Sequence, residues 1–228
     1  MATFFSEVLD GFLSPVFLEK VYKKFHFSET HMTALEKVAK EMLPLMRRDA
    51  FWERKEFLME NPRRHSVFYE CVVMSLGAGI DDLQEQYTGE GLLLQSYMLE
   101  VLASELLLLG YDAYNGYVRE NTKLHVARYH FPGSEEAFPI EILPDLLEAV
   151  TPEITCNSAF CMLPKKSVAF LAELTDDEKV QCQGVCVGCG NKTCPNRIED
   201  DCQIRKRIAE MTDMPLPYGY SRIFHTAS

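Results

Sequence analysis

The residues of this chain best equipped for chemistry gather near its C-terminal end. Five of the eight cysteines, Cys182, Cys186, Cys189, Cys194 and Cys202, fall within 21 residues in the pattern C-x3-C-x2-C-x4-C-x7-C. Thiolates at such spacings are soft ligands suited to iron–sulfur clusters or zinc. Gly184, Gly188 and Gly190 let the backbone wrap closely and turn amide N–H groups toward sulfur. Cys194-Pro195 repeats the cysteine–proline pairing that ends bacterial ferredoxin cluster runs. Structural zinc sites more often carry two separated CxxC pairs, and this loop has one, Cys186 and Cys189. The expectation is therefore a 4Fe-4S cluster, with zinc as the alternative. Its ligands would be Cys186, Cys189, Cys194 and Cys202, with Cys182 competing for the fourth place. The C-x3-C-x2-C spacing also matches radical enzymes. In those the motif lies early in a large barrel, and too little chain follows Cys189 for that.

The elements that must position this loop can be read from periodicity. Met32, Leu35, Val38, Met42 and Leu45 recur at helical spacing, with Pro44 expected to end or kink the helix. Phe51 to Leu58, interleaved with Arg54 and Lys55, reads as a further amphipathic helix. His65 to Ser75 is β-branched and aromatic and predicts a buried strand. A short helical stretch follows Gly77, then a central helix over about 90–109 that Gly110 should stop. Leu124 to Tyr129 and Ser167 to Leu174 predict strands. Pro139 opens a helix interrupted near Pro144. Cys71, Cys156 and Cys161 read as core thiols, and His125 and His130 as surface or hydrogen-bonding residues. The fold class expected is α+β. Residues 1–65 form a helical N-terminal region, 66–175 a mixed α/β core, and 176–228 a cysteine-rich metal-binding loop and terminal helix.

Composition narrows the function classes. An apolar fraction of 47% with 25% charged residues suits a globular protein. The net charge of −11 repels phosphate backbones and argues against nucleic acid as partner. Between His65 and Tyr117 stand eight carboxylates and no Lys or Arg, a block that could steer a partner. The N-terminus lacks a basic start followed by a long apolar run, and the run around Leu106–Leu109 is too short for a bilayer. The expectation is a cytoplasmic protein with no membrane partner, in a reducing setting where clustered cysteines hold metal.

Three stretches in order carry a resemblance: SLGAGIDDLQEQYTGEGLLLQSYMLEVLASELL, RYHFPGSEEAFPIEILPDLLEAV and TCNSAFCMLPKKSVAFLAEL. They resemble the activation (reactivation) domain of cobalamin-dependent methionine synthase. With the C-x2-C-x4-C-P-x-R loop, the chain looks most like the stand-alone iron–sulfur-type relatives of that domain in anaerobic bacteria. Together these stretches cover roughly residues 65–200.

The resemblance implies a mixed α/β domain that binds S-adenosylmethionine and docks on a corrinoid domain. There, inactive cob(II)alamin takes one electron and is then methylated. Arg128 matches the arginine expected to meet the methionine carboxylate, a task suited to a bidentate guanidinium. Pro132 and Gly133 match the turn that lets backbone approach the ligand. Glu105 lies near the ligand-binding glutamate. One extra residue separates Arg128 from Pro132, Ser134 stands where the family has tyrosine, and a strict alignment sets Ser104 at the glutamate position.

The function implied is an iron–sulfur accessory protein that reductively reactivates a corrinoid protein or cobalamin-dependent methyltransferase. A low-potential electron donor would feed it, and S-adenosylmethionine is the candidate methyl donor. The alternatives are a non-catalytic binding module stapled by metal and a small-molecule S-adenosylmethionine-dependent methyltransferase.

Overall fold

The computed structural model describes residues 2–61, 64–180, 182 and 184–189. These residues form an α+β fold, in the order β1 (Ala2–Thr3), α1 (Ser6–Gly11), α2 (Pro15–Lys24), α3 (Met32–Asp49), β2 (Phe51–Asn61), β3 (Arg64–Ser75), α4 (Ala78–Gly89), α5 (Leu93–Asn121), β4 (His125–His130), α6 (Leu143–Val150), β5 (Thr155–Cys156), β6 (Met162–Leu163), β7 (Ser167–Thr175) and α7 (Val185–Gly188). The main sheet has the order β1-β2-β3-β7-β4, and every pairing in it is antiparallel. β5 and β6 form a separate two-stranded ribbon.

Strand alternation divides the core in two. Val72, Met74, Phe170 and Ala172 point into one large apolar cluster with α1, α2, α3 and α5. On the opposite face, Tyr69, Cys71, Val73, Ala169 and Leu171 meet α6 and the segment around Phe138. The boundary expected at residue 65 falls inside the β2–β3 hairpin, and the N-terminal helices share the large cluster with the sheet. The described residues make one compact unit.

Three local expectations are corrected. Phe51–Asn61 is a strand rather than a helix: alternation puts Phe51 and Phe57 on one face and Trp52 and Arg54 on the other. The local pattern fits either period, and the pairing with β3 decides it. α3 runs through Pro44 with Met42 and Met46 fully buried on either side, so packing outweighs the backbone hydrogen bond that proline lacks. α5 continues past Gly110 to Asn121. A Cβ at Gly110 would lie 3.0 Å from Met74 Sδ and 3.2 Å from the Phe4 ring. Glycine at that point lets the helix touch the sheet, a gain exceeding its helical cost of about 1 kcal/mol.

By length and composition α5 could also cross a membrane, a test that core helices pass too; half of its most apolar window is buried.

Candidate functional site on strand β4

β4 is one of the two edge strands of the main sheet and, among the described residues, pairs with β7 alone. A register shift between Val126 and Arg128 bends it. Val126 and Tyr129 join the large cluster on the helical side, while Arg128 and His130 face the other way. Directly after the strand, the chain from Phe131 to Phe138 folds back on itself. Gly133 has φ +84 and donates its N–H to the Phe138 carbonyl at 2.7 Å. A Cβ there would sit 3.2 Å from Ile140, so the turn at Pro132-Gly133 needs both the freedom and the small size of glycine.

That turn delivers Glu135 to the face of β4. Arg128 Nη2 lies 3.3 Å from Glu135 Oε2, and His130 Nδ1 lies 2.8 Å from Glu135 Oε1. On its other side His130 Nε2 lies 3.2 Å from Glu173 Oε2 of β7. Tyr69 and Phe138 enclose the imidazole, with ring centroids 5.6 and 5.0 Å away. His130 is nearly buried, whereas the Arg128 side chain is 39% exposed. Arg128 Nε is buried and makes no hydrogen bond among the described residues. Among the described residues the guanidinium is thus held through the Glu135 contact at Nη2, with donor capacity left for a carboxylate or phosphate. A neutral imidazole has one N–H to give, so an extra proton is needed before both its carboxylate contacts become hydrogen bonds.

Glu105, the other expected ligand residue, is 3% exposed and is engaged on the helical side of the sheet. Its carboxylate pairs with Lys24 of α2 and lies 3.8 Å from Lys20. The structure therefore joins Arg128 and Gly133 in one loop-and-strand arrangement and gives Glu105 to the α2–α5 contact. Sequence reading missed the rest of the network. His130 stands two residues from Arg128 and hence on the same strand face, a signal that period-two reading could have used. Glu173 faces Arg128 across the β4–β7 pair, which local sequence does not reveal.

The start of the cysteine loop lies against the same strand. His125 Nε2 donates to the Val180 carbonyl at 2.7 Å, and α7 packs on β4. Gly184, at φ 78, lets the chain enter α7, and the Cys189 N–H closes the turn on Val185 O at 3.1 Å. Cys186 and Cys189 are half-buried. Cys182 and Val185 pack against the large apolar cluster. Burial pushes the Cys182 thiol up and the Asp112 charge adds to this, against the Gly184 N–H and Arg119. Tyr111 is raised above its ordinary range by burial first and then by the charge of Cys189.

Cys194 and Cys202 lie outside the described residues. Among the described residues, no three His, Cys, Asp or Glu side chains come together as a metal-binding group. Cys186 and Cys189 remain a fitting donor pair, two soft ligands on one glycine-entered turn.

The remaining cysteines are inert or peripheral. Cys71 is fully buried, and burial pushes its thiol up to about 12. Cys156 is half-buried and packs against the smaller core cluster, whereas Cys161 is exposed, so the core reading is corrected for Cys161. They sit on the β5–β6 ribbon and its turn, outside the layers of the main sheet.

Four of the eight carboxylates in the block, Glu70, Glu85, Glu100 and Glu105, pair with Arg or Lys side chains among the described residues. Glu70, 2% exposed, pairs with Arg54 and accepts the Tyr114 hydroxyl at 2.7 Å. Burial first, and Glu70 second, push that hydroxyl well above the usual tyrosine range. Glu100 pairs with Lys166, Glu85 with Lys165, and Asp81 accepts the Lys165 backbone N–H at 2.6 Å.

No protein-family model matches this chain, and a search of curated proteins finds no match either.

Proposed function

We propose that this chain is a cytoplasmic iron–sulfur accessory protein for corrinoid-dependent methyl transfer. It reductively reactivates a corrinoid protein or cobalamin-dependent methyltransferase, with an activation-domain-like core and S-adenosylmethionine as methyl donor. The single observation that supports this reading best is the sharing of β4. The turn bearing Cys186 packs on the strand that carries Arg128, so a thiol site and a half-engaged guanidinium stand on one edge strand.

Each residue has a task that follows from its surroundings. When bound, a cysteine-ligated iron–sulfur centre supplies single electrons at low potential. Arg128 offers its fork to the ligand carboxylate, and Gly133 keeps the adjoining turn close to it. Cys182 and Val185 pack against the apolar cluster to which buried Tyr111 belongs and so tie the cysteine turn to the core.

The test uses the anaerobically purified full chain and, as probe, cob(II)alamin made beforehand by one-electron reduction of aquocobalamin. After reduction and removal of excess reductant, the protein should convert cob(II)alamin to cob(I)alamin in a stopped-flow absorbance trace. Cys186→Ser and Cys189→Ser should lose that conversion. A wild-type protein that carries iron yet transfers no electron to the probe or to a corrinoid protein would sink the reading.

A further inference from the structure

A second feature lies on the helical side, at the junction of α3, α4 and the first turns of α5. A cavity of about 280 Å³ opens there, with Glu41 and Lys37 on one wall and Tyr87, Glu90 and Leu92 on the other. Tyr87 Oη donates to Glu41 Oε2 at 2.7 Å, and Gln86 Nε2 donates to Glu90 Oε1 at 3.0 Å. Burial, followed by the Glu41 contact, raises the Tyr87 hydroxyl and keeps it a donor. Two carboxylates therefore face one ammonium, Lys37, which lies 3.8 Å from Glu41.

An apolar ridge adjoins this acidic cavity. Of the eight large hydrophobic side chains exposed among the described residues, four are consecutive or one helical turn apart here: Leu92, Leu93, Leu94 and Tyr97. Leu93 is 67% exposed and Tyr97 48%. Leu93 and Tyr97 stand at i and i+4, so they present one surface. Tyr97 is braced from behind by Phe27, at 5.8 Å between ring centroids. Gly91, at φ +74, makes the sharp turn that brings Leu92 into the cavity wall and Leu93 to its rim.

We propose that this surface docks a basic amphipathic helix of a protein partner. An Arg or Lys of that helix enters the cavity between Glu41 and Glu90, and its apolar side chains cover Leu93, Leu94 and Tyr97. Charge complementarity selects this occupant. A second copy of the chain would bring the same carboxylates face to face, and an anionic lipid surface would meet Glu41 and Glu90 with like charge. Contiguous exposed apolar side chains mark interaction surfaces, and an amphipathic helix with a basic edge can cover this ridge while its charge meets the acidic cavity. The surface is separate from β4 and does not depend on the metal reading.

The probe is a short acetylated helix of leucine and arginine at heptad-like spacing, paired with a control peptide in which glutamate replaces arginine. Fluorescence anisotropy with the full chain should show binding of the arginine peptide only, weakened by added salt. Leu93→Ser, and separately Glu41→Gln with Glu90→Gln, should each weaken it about tenfold. Glu148→Gln, an equal loss of charge on exposed α6, should leave binding unchanged.

Four results would overturn the proposal. They are equal binding of both peptides, no binding of either, binding that ignores Leu93 and Glu41, and a Leu93-dependent self-association or vesicle attachment that accounts for the ridge instead.

Discussion

Glu105 offers the sharpest test of how the fold divides structural from functional carboxylates. It is 3% exposed, Lys24 is 13% exposed, and Lys20, 3.8 Å away, is 35% exposed. Lys24→Met strands a buried carboxylate. In a fully buried pair the loss of one partner costs roughly 3–5 kcal/mol. Lys20 still supplies a nearby cation, which lowers the expected cost to about 2–3 kcal/mol. Glu105→Gln instead leaves two lysines whose flexible stems can carry their heads to water, so it should cost about 1 kcal/mol. Lys24→Met combined with Glu105→Leu replaces the pair by apolar groups and should recover most of the Lys24→Met loss. Urea denaturation followed by circular dichroism at neutral pH measures all four proteins, with midpoints compared at constant m. If Glu105→Gln costs as much as Lys24→Met, the ordering of burial and pairing is wrong. If Glu105→Gln leaves stability unchanged and abolishes S-adenosylmethionine binding, Glu105 is a ligand group after all.

Other outcomes follow from the same geometry. Glu135→Gln should weaken the internal hold on Arg128 and strengthen S-adenosylmethionine binding about three- to tenfold by calorimetry, whereas Arg128→Ala should abolish it. Gly77→Ala forces a side chain at φ +87 to within 2.3 Å of Asp49 Cβ, and should cost at least about 2 kcal/mol in a thermal or urea melt. For Glu100, burial raises the carboxyl, but the Lys166 and Gln84 hydrogen bonds outweigh it and hold the group below its ordinary 4.5. The unfolded chain then binds the proton more readily. The stabilisation is present above that ordinary value and is lost as pH falls through the lower folded one. Stability measured from pH 6 down to 3 should therefore fall less steeply in Glu100→Gln than in the wild type.

Much of the fold was legible because long elements carry their own period. The strands at 65–75, 125–130 and 167–175 and the α4–α5 region declare themselves through β-branched runs, glycine turns and a helix apolar on nearly every side. What failed were boundaries set by tertiary contact. Gly110 and Pro44 are helix-ending residues in isolation, and each is overruled where buried neighbours hold the helix together. Phe51–Leu58 has an ambiguous period that only pairing with β3 resolves.

At the candidate site the sequence reading singled out Arg128, Pro132 and Gly133, but not the contact network that joins Arg128 to Glu135, His130 and Glu173. Their meeting depends on the fold-back from Phe131 to Phe138 and a cross-strand neighbour, neither written in local spacing. Charge counted along the chain also ignores the lysines that arrive from α2 and from the segment before β7 to pair with Glu105, Glu85 and Glu100.

The central claim is that the cysteine loop holds an iron–sulfur centre, and metal content tests it most directly. Full-length protein purified without oxygen should contain about four iron and four acid-labile sulfide per chain, as a 4Fe-4S cluster requires. It should show broad visible absorption that bleaches on dithionite reduction, and Cys186→Ser and Cys189→Ser should lose both signals. About one zinc per chain with a featureless visible spectrum would contradict it.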